Sequence, residues 1–122
     1  MQNETTTIVA TATAPGTGAI AVVRLSGTKA ISIADRVFLS VHDKVLSKQK
    51  THTIHLGHIV QGNKTLDEVL ISLFKGPNSY TGEDVVEISC HGSPYVQQQL
   101  IQVLIDEGAQ LADPGEFTLR AF

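Results

Sequence analysis

Residues 85–91 read VVEISCH and residues 20–26 read IAVVRLS, and these two stretches decide the fold. Each alternates its side chains with the two-residue period of a β-strand. Each also carries one charged residue among aliphatic neighbours, Glu87 in the first and Arg24 in the second. The two stretches therefore predict strands of one packed sheet that holds a carboxylate and a guanidinium in mid-strand.

Further strands and turns extend this sheet. Strands are expected over residues 6–13, 53–61 and 66–74, where apolar side chains recur at strand spacing. Gly62-Asn63 predicts the hairpin turn between the last two of them. Residues 14–18 predict another turn, because proline fixes φ and glycine accepts positive φ.

Helix signals follow two of the strands. Thr28 is expected to cap a helix of about a dozen residues, whose apolar stripe runs from Ala30 to Phe38. Ser93 and Pro94 predict the start of a second helix, and Gly108 predicts its end. A turn over 113–116 leads into a last helical turn over 117–122. The order β-β-α-β-β-β-α predicts an α+β fold, a mixed sheet with helices packed on one face.

Composition limits the class of protein. The 122 residues suit a single domain spanning 1–122, and 42% apolar with 17% charged residues excludes a disordered tail. Nine Lys and Arg against twelve Asp and Glu give a net charge of −3, with no basic and aromatic stripe, so tight nucleic-acid binding by this chain alone is not expected. No signal peptide or membrane-spanning run is visible, which favours a cytoplasmic location.

Several candidate sites fail on residue spacing. Gly16 and Gly18 are not followed by the Lys and Ser or Thr of a phosphate-binding loop. Cys90 and His91 are adjacent on a strand, so they point to opposite faces and cannot easily form a thiol–imidazole pair. The single cysteine excludes a disulfide framework and is expected to be a small buried apolar residue, whereas His91 is expected to organise a loop.

A triplet of histidines also suggests a metal site at first sight. His52, His55 and His58 are spaced by three residues. Because strand residues alternate, His55 points away from the other two, and three converging ligands are not expected. No metal is predicted.

Arg24 and Glu87 remain as the informative pair. Charged residues in such positions are seldom fully buried unless paired, so an internal salt bridge or a solvent-facing sheet surface explains them. A polar ligand lying on the sheet explains them equally well. A carboxylate accepts two parallel N–H···O hydrogen bonds from a guanidine-like edge of a ligand. Arginine offers a planar fork of donors for carbonyl or carboxylate groups.

Three motifs together resemble a known family. They are residues 7–16 with 23–27, residues 76–87 (GPNSYTGEDVVE) with His91-Gly92, and residues 114–122 (PGEFTLRAF). These stretches are similar to the N-terminal domains of the tRNA-modification GTPase family MnmE, also called TrmE. Four positions depart from the family pattern: Ala14, Thr17 and Ala19 replace a proline, an arginine and a glycine of the first loop, and Ser93 replaces a glycine.

The resemblance implies a fold and a ligand. Such domains resemble half of the folate-binding domain of the glycine-cleavage T protein, and two copies form a homodimer. They bind a one-carbon tetrahydrofolate of the 5-formyl type near the dimer interface. The family's ligand positions correspond to Arg24 and Glu87, and the adjacent N3–H and 2-amino groups of a pterin suit a carboxylate. No catalytic residue is expected in this chain.

The resemblance also implies a longer parent protein. Members of the family hydrolyse GTP with Mg²⁺ and K⁺ and act with a flavin-dependent partner, MnmG (GidA), on the wobble uridine of tRNA in the 5-carboxymethylaminomethyluridine pathway. This chain is expected to be a fragment without the helical and G domains, so whether it is itself an enzyme stays open. Two alternatives remain: a structural dimerisation module in which Arg24 and Glu87 pair internally, and a free-standing folate-dependent transferase.

Overall fold

A computed structural model describes residues 6–13 and 18–121. In chain order the elements are β1 (Ile8–Thr11), β2 (Ile20–Ser26), α1 (Ala30–Val37), β3 (Phe38–Ser40), a 3₁₀ turn (Leu46–Lys48), β4 (Thr53–Gln61), β5 (Lys64–Phe74), β6 (Val85–His91), α2 (Pro94–Asp106), β7 (Gln110–Leu111) and α3 (Glu116–Ala121). The seven strands form one sheet in the order β3-β4-β5-β6-β2-β1-β7. Neighbours are antiparallel except β1 and β7, so the predicted mixed sheet of an α+β fold is confirmed.

The hydrophobic core lies between one face of the sheet and helices α1 and α2. Val23 and Ile88 from the central strands are fully buried against Ile33 of α1 and Leu104 of α2. We call the opposite face of β2, β4, β5 and β6 the open face. Its side chains, which strand alternation places together, are those of Ile20, Val22, Arg24, Ile54, Leu56, His58, Leu70, Ser72, Glu87, Ser89 and His91.

The predictions that rested on strong local signals are confirmed. Strands β2, β4 and β6 have the expected bounds. The hydroxyl of Ser93 accepts a hydrogen bond from the Val96 amide at 3.4 Å and caps α2. Gly108 follows the end of this helix with a φ of +119°, a conformation that glycine adopts without steric cost.

The start of α1 differs from the prediction. Thr28 is exposed and does not cap the helix; instead the hydroxyl of Thr7 accepts a hydrogen bond from the Lys29 amide at 3.1 Å. The helix is eight residues long rather than a dozen. It ends because Phe38 turns to extended backbone and starts β3, which pairs with β4.

Two other short elements were not predicted. Strand β7 has only two residues, too few for a periodic pattern, and it forms only through parallel pairing with β1. The 3₁₀ turn is held because both carboxylate oxygens of Asp35 accept amide hydrogen bonds, from Leu46 at 2.7 Å and Ser47 at 3.0 Å. Residues 14–17 of the predicted turn, and Phe122, lie outside the described residues.

Candidate functional site

Strand pairing brings Arg24 and Glu87 into direct contact. The two residues are cross-strand partners in the β2–β6 register. Nε of Arg24 donates to Oε2 of Glu87 at 2.8 Å, and Nη2 lies 2.7 Å from the same oxygen. The side chains are 26% and 27% exposed, so the pair is half-buried on the open face. Sequence reasoning placed both residues in mid-strand and left this contact open as one of the alternatives.

The ion pair leaves hydrogen-bonding capacity unused. Both contacts end on Oε2 of Glu87, and no described residue donates to its Oε1. Likewise Nη1 of Arg24 has no partner among the described residues. A carboxylate has about four acceptor positions and a guanidinium has five donors. The pair can therefore still accept and donate hydrogen bonds to a third group.

Two aromatic rings flank the guanidinium of Arg24. Its Cζ lies 5.0 Å from the centre of the Tyr80 ring and 5.8 Å from that of Phe117. Both distances are within the range of cation–π attraction. Tyr80 comes from the loop between β5 and β6, and Phe117 comes from α3. Sequence reasoning did not single out either ring, although both lie within the motifs that carried the family resemblance.

A cavity opens beside this cluster. Its volume is about 380 Å³, which falls in the lower part of the range of about 300–1,000 Å³ for ligand pockets. Its wall combines a charged group, aromatic rings and backbone, and consists of Ala10, Thr11, Ala12, Arg24, Tyr80, Ala112, Asp113, Pro114, Gly115, Glu116, Phe117 and Thr118. Glu87 is not part of this wall, so Arg24 is the link between the ion pair and the cavity.

The loop that carries Tyr80 is held at both ends. The Gly76 amide donates to Oδ1 of Asp84 at 2.9 Å, and the Ser79 hydroxyl donates to the carbonyl of Glu83. These bonds close the loop on itself at both of its ends.

Cys90 and His91 occupy opposite faces of β6, as predicted. Cys90 is 3% exposed within the core, and burial, followed by the charge of Asp67, raises the pKa of its thiol to about 11. His91 is exposed, and its Nδ1 lies 2.6 Å from Oδ1 of Asp67, whose Oδ2 accepts from the His91 amide at 2.8 Å. His91 therefore ties the end of β6 to β5.

The three histidines near β4 have separate surroundings. His52 precedes the strand and packs edge-on against Phe74, with ring centres 5.2 Å apart. His55 is buried and its Nε2 lies 2.8 Å from the Thr53 hydroxyl, whereas His58 faces Glu68 at 3.5 Å. Within residues 6–13 and 18–121, no group of three metal-ligating side chains is close enough to hold an ion.

His55 gives the fold a pH dependence that can be measured. Burial, and then the charge of Lys44, lowers the pKa of His55 below its ordinary value of 6.5. The unfolded chain then binds a proton more readily than the folded chain, so the free energy of unfolding is fully retained above pH 6.5 and decreases as the pH falls below it. Urea titrations at pH 7.5 and 5.5 should show a smaller decrease for His55→Gln than for the wild type. An equal decrease in both proteins, with exposed His42→Gln as control, would contradict the assignment.

Comparison with known proteins identifies the family. The family model described as GTP-binding protein TrmE N-terminus matches residues 7–122. Proteins named tRNA modification GTPase MnmE are similar: 68% identity over 115 residues in Flavobacterium johnsoniae, 63% over 116 in Flavobacterium psychrophilum and 54% over 118 in Enterococcus faecalis. These matches cover 94%, 95% and 95% of the chain, but only 25% of each relative. The chain, which spans about a quarter of the length of these relatives, belongs to the family of TrmE N-terminal domains.

Proposed function

We propose that this chain is the folate-binding and dimerisation domain of a cytoplasmic tRNA-modification GTPase. In this proposal Arg24 and Glu87 bind a one-carbon tetrahydrofolate of the 5-formyl type. The observation that carries the proposal is the half-buried Arg24–Glu87 pair, which keeps one carboxylate oxygen without a partner among the described residues.

The chemistry of these residues fits a reduced folate. The pterin ring presents an N3–H and a 2-amino group side by side, and the Glu87 carboxylate is an acceptor for such an edge. The guanidinium of Arg24 supplies donors for carbonyl or carboxylate oxygens. Tyr80 and Phe117 add aromatic surface beside a cavity of about 380 Å³. When bound, the folate supplies the one-carbon unit, and the residues of this chain bind and orient it.

The open face supports the proposal of a homodimer. Four large aliphatic side chains are exposed on it: Ile20 at 67%, Ile54 at 65%, Leu70 at 44% and Leu56 at 39%. Leu56 and Leu70 are cross-strand partners, and both line a shallow depression that also includes Ile20. Contiguous apolar patches of this kind mark interaction surfaces. A twofold dimer would use the same patch on both copies and would place it next to the Arg24–Glu87 pair.

The dimer is tested by charge substitution within this patch. Sedimentation of the wild type should give about twice the chain mass of 13.1 kDa. Leu70→Glu should sediment as a monomer, because the dimer would bury an unpaired carboxylate. Tyr95→Glu, at an exposed position on α2 behind the opposite face, is the control and should stay dimeric. A wild type that is monomeric at high concentration, or a dimeric Leu70→Glu, would contradict the proposed interface.

The proposal also includes the longer protein to which this domain belongs. The relatives carry the name tRNA modification GTPase and are about four times as long as the matched region. We propose that the parent protein hydrolyses GTP with Mg²⁺ and K⁺ and acts with the flavin-dependent partner MnmG. In this proposal the complex of the two proteins, rather than this domain alone, contacts the wobble uridine of tRNA.

Calorimetric titration of the folded domain with 5-formyl-tetrahydrofolate tests the ligand assignment. Saturable heat is expected, with a stoichiometry of one ligand per chain. A flat titration of a sample that circular dichroism shows to be folded and sedimentation shows to be dimeric would overturn the folate proposal.

The same ion pair also favours a second candidate function. The 2.7 Å contact between Arg24 and Glu87 is what a purely structural dimerisation module would need in order to neutralise its mid-strand charges. In that case the cavity beside Arg24 has no ligand. Dimerisation without any folate binding is the result that would select this alternative.

A further inference from the structure

A buried polar network joins α3 to the loop that carries Tyr80. We call its charged part, formed by Glu83, Glu116 and Arg120, the α3 latch. Nη1 of Arg120 donates to Oε1 of Glu83 at 3.0 Å, and Nη2 donates to Oε2 of Glu116 at 3.1 Å. Ser26 of β2 extends the network, since its hydroxyl donates to the same Oε1 of Glu83 at 3.0 Å.

The latch is built from groups that water reaches poorly. The side chain of Arg120 is 6% exposed, that of Glu116 is 4% exposed and that of Glu83 is 24% exposed. Separation of a buried charge from its partner is costly, because the charge is then left uncompensated away from water. The buried contacts of Arg120 therefore hold α3 and the loop that carries Tyr80 in a fixed relative position. The planar fork of arginine contacts both carboxylates at once, which the point charge of a lysine cannot reproduce.

The position of the latch matters because it lies next to the cavity. Phe117 and Thr118 lie on the helical turn between Glu116 and Arg120, and Tyr80 lies three residues before Glu83. The Tyr80 hydroxyl is 3.4 Å from the Thr118 hydroxyl, so loop and helix also meet at the cavity wall. The two rings that flank Arg24 thus come from the two elements that the latch joins.

We propose that Glu83 and Arg120 are positioning residues of the ligand site. They hold Tyr80 and Phe117 around Arg24 before any ligand arrives, and this preorganisation lowers the entropy that binding would otherwise lose. The positioning of the rings stands on the geometry alone, whereas the consequence for folate affinity rests on the proposed function. Neither residue needs to touch the ligand.

Tyrosine fluorescence can report on the rings without any ligand. The chain has no tryptophan and two tyrosines, so in a Tyr95→Phe background Tyr80 is the only tyrosine, and it can be excited selectively because phenylalanine absorbs at shorter wavelengths. Glu83→Gln in that background removes the carboxylate charge of Glu83 while keeping the shape of its side chain, and leaves the Glu116–Arg120 pair in place. Acrylamide quenching of Tyr80 is expected to increase about twofold as the loop separates from α3, and the dissociation constant for 5-formyl-tetrahydrofolate should rise about tenfold.

Two control variants separate positioning from a general loss of stability. Glu107→Gln alters the exposed Arg36–Glu107 pair, whose atoms are 3.9 Å apart, and should change neither readout. Val103→Ala weakens the core under α2 and should lower the free energy of unfolding without changing the quenching of Tyr80. If Glu83→Gln does not fold, Arg120→Lys carries the test, because it keeps the charge but loses the fork.

The outcomes distinguish this inference from the proposed function. If acrylamide quenches Tyr80 in Glu83→Gln or Arg120→Lys no more than in the Glu107→Gln control, the positioning role is wrong. This holds whatever the folate titration gives. Increased quenching supports the positioning role even if the wild type binds no folate, in which case only the proposed function fails. Increased quenching with unchanged folate affinity overturns the inferred link between the rings and the ligand.

Discussion

Glu87→Ala is expected to weaken binding of 5-formyl-tetrahydrofolate by about 100-fold or more, which removes measurable heat from a calorimetric titration. The substitution removes the carboxylate that faces the pterin edge in our proposal. It also deprives Arg24 of its 2.7 Å partner, so the guanidinium is free to leave the position between Tyr80 and Phe117. Both changes weaken the binding of the folate.

The comparison with two further variants makes this prediction specific. Glu87→Gln keeps an acceptor oxygen and should bind with intermediate affinity, because an amide offers one acceptor where the carboxylate offers two. Glu107→Ala, at the end of α2 and away from the open face, should bind like the wild type. Equal binding by Glu87→Ala and the wild type would overturn the assignment of Glu87 and leave the ion pair with a structural role alone.

Gly27→Ala is expected to lower the free energy of unfolding by roughly 3 kcal/mol or more. Gly27 has a φ of +145°, where residues with a Cβ are strained. A Cβ at this position would also lie 2.5 Å from Oγ1 and 2.7 Å from Cα of Thr7. The same Thr7 hydroxyl accepts a hydrogen bond from the Lys29 amide at the start of α1. The substitution therefore disturbs the helix as well as the turn.

Gly62→Ala is the matched control for this effect. Gly62 also has a positive φ, +60°, but a Cβ there would meet no atom within 4 Å. Gly62→Ala should therefore lower the free energy of unfolding only through the strain of a left-handed backbone, by about 1 kcal/mol. Urea unfolding of both variants measures the difference, and equal losses would show that the contact with Thr7 contributes nothing.

The central strands could be predicted because their signals are local. Residues 20–26 and 85–91 are short, rich in β-branched residues and bounded by turn signals, which favours strands, and both form strands with those bounds. Strand alternation placed Arg24 and Glu87 on faces shared with aliphatic residues. Arg24 and Glu87 face each other because of the register of β2 against β6. No local pattern in either strand encodes this register.

The remaining parts of the site depend on contacts between distant residues. Tyr80 and Phe117 meet at Arg24 only because the fold brings the loop after β5 and the start of α3 together at this residue. The predicted cap Thr28 was wrong, because Lys29 occupies the N-cap position and its amide donates to the hydroxyl of Thr7, 22 residues earlier in the chain. Short strands such as β7 form only through pairing, which sequence periodicity cannot reveal.

A crystal structure of the dimeric domain soaked with 5-formyl-tetrahydrofolate tests the central claim most directly. Our account predicts electron density for a pterin in contact with Glu87 and Arg24, next to the twofold interface. Ordered Arg24 and Glu87 side chains with no ligand beside them, in a properly assembled dimer at saturating folate, would contradict it and leave an assembly scaffold as the function of this domain.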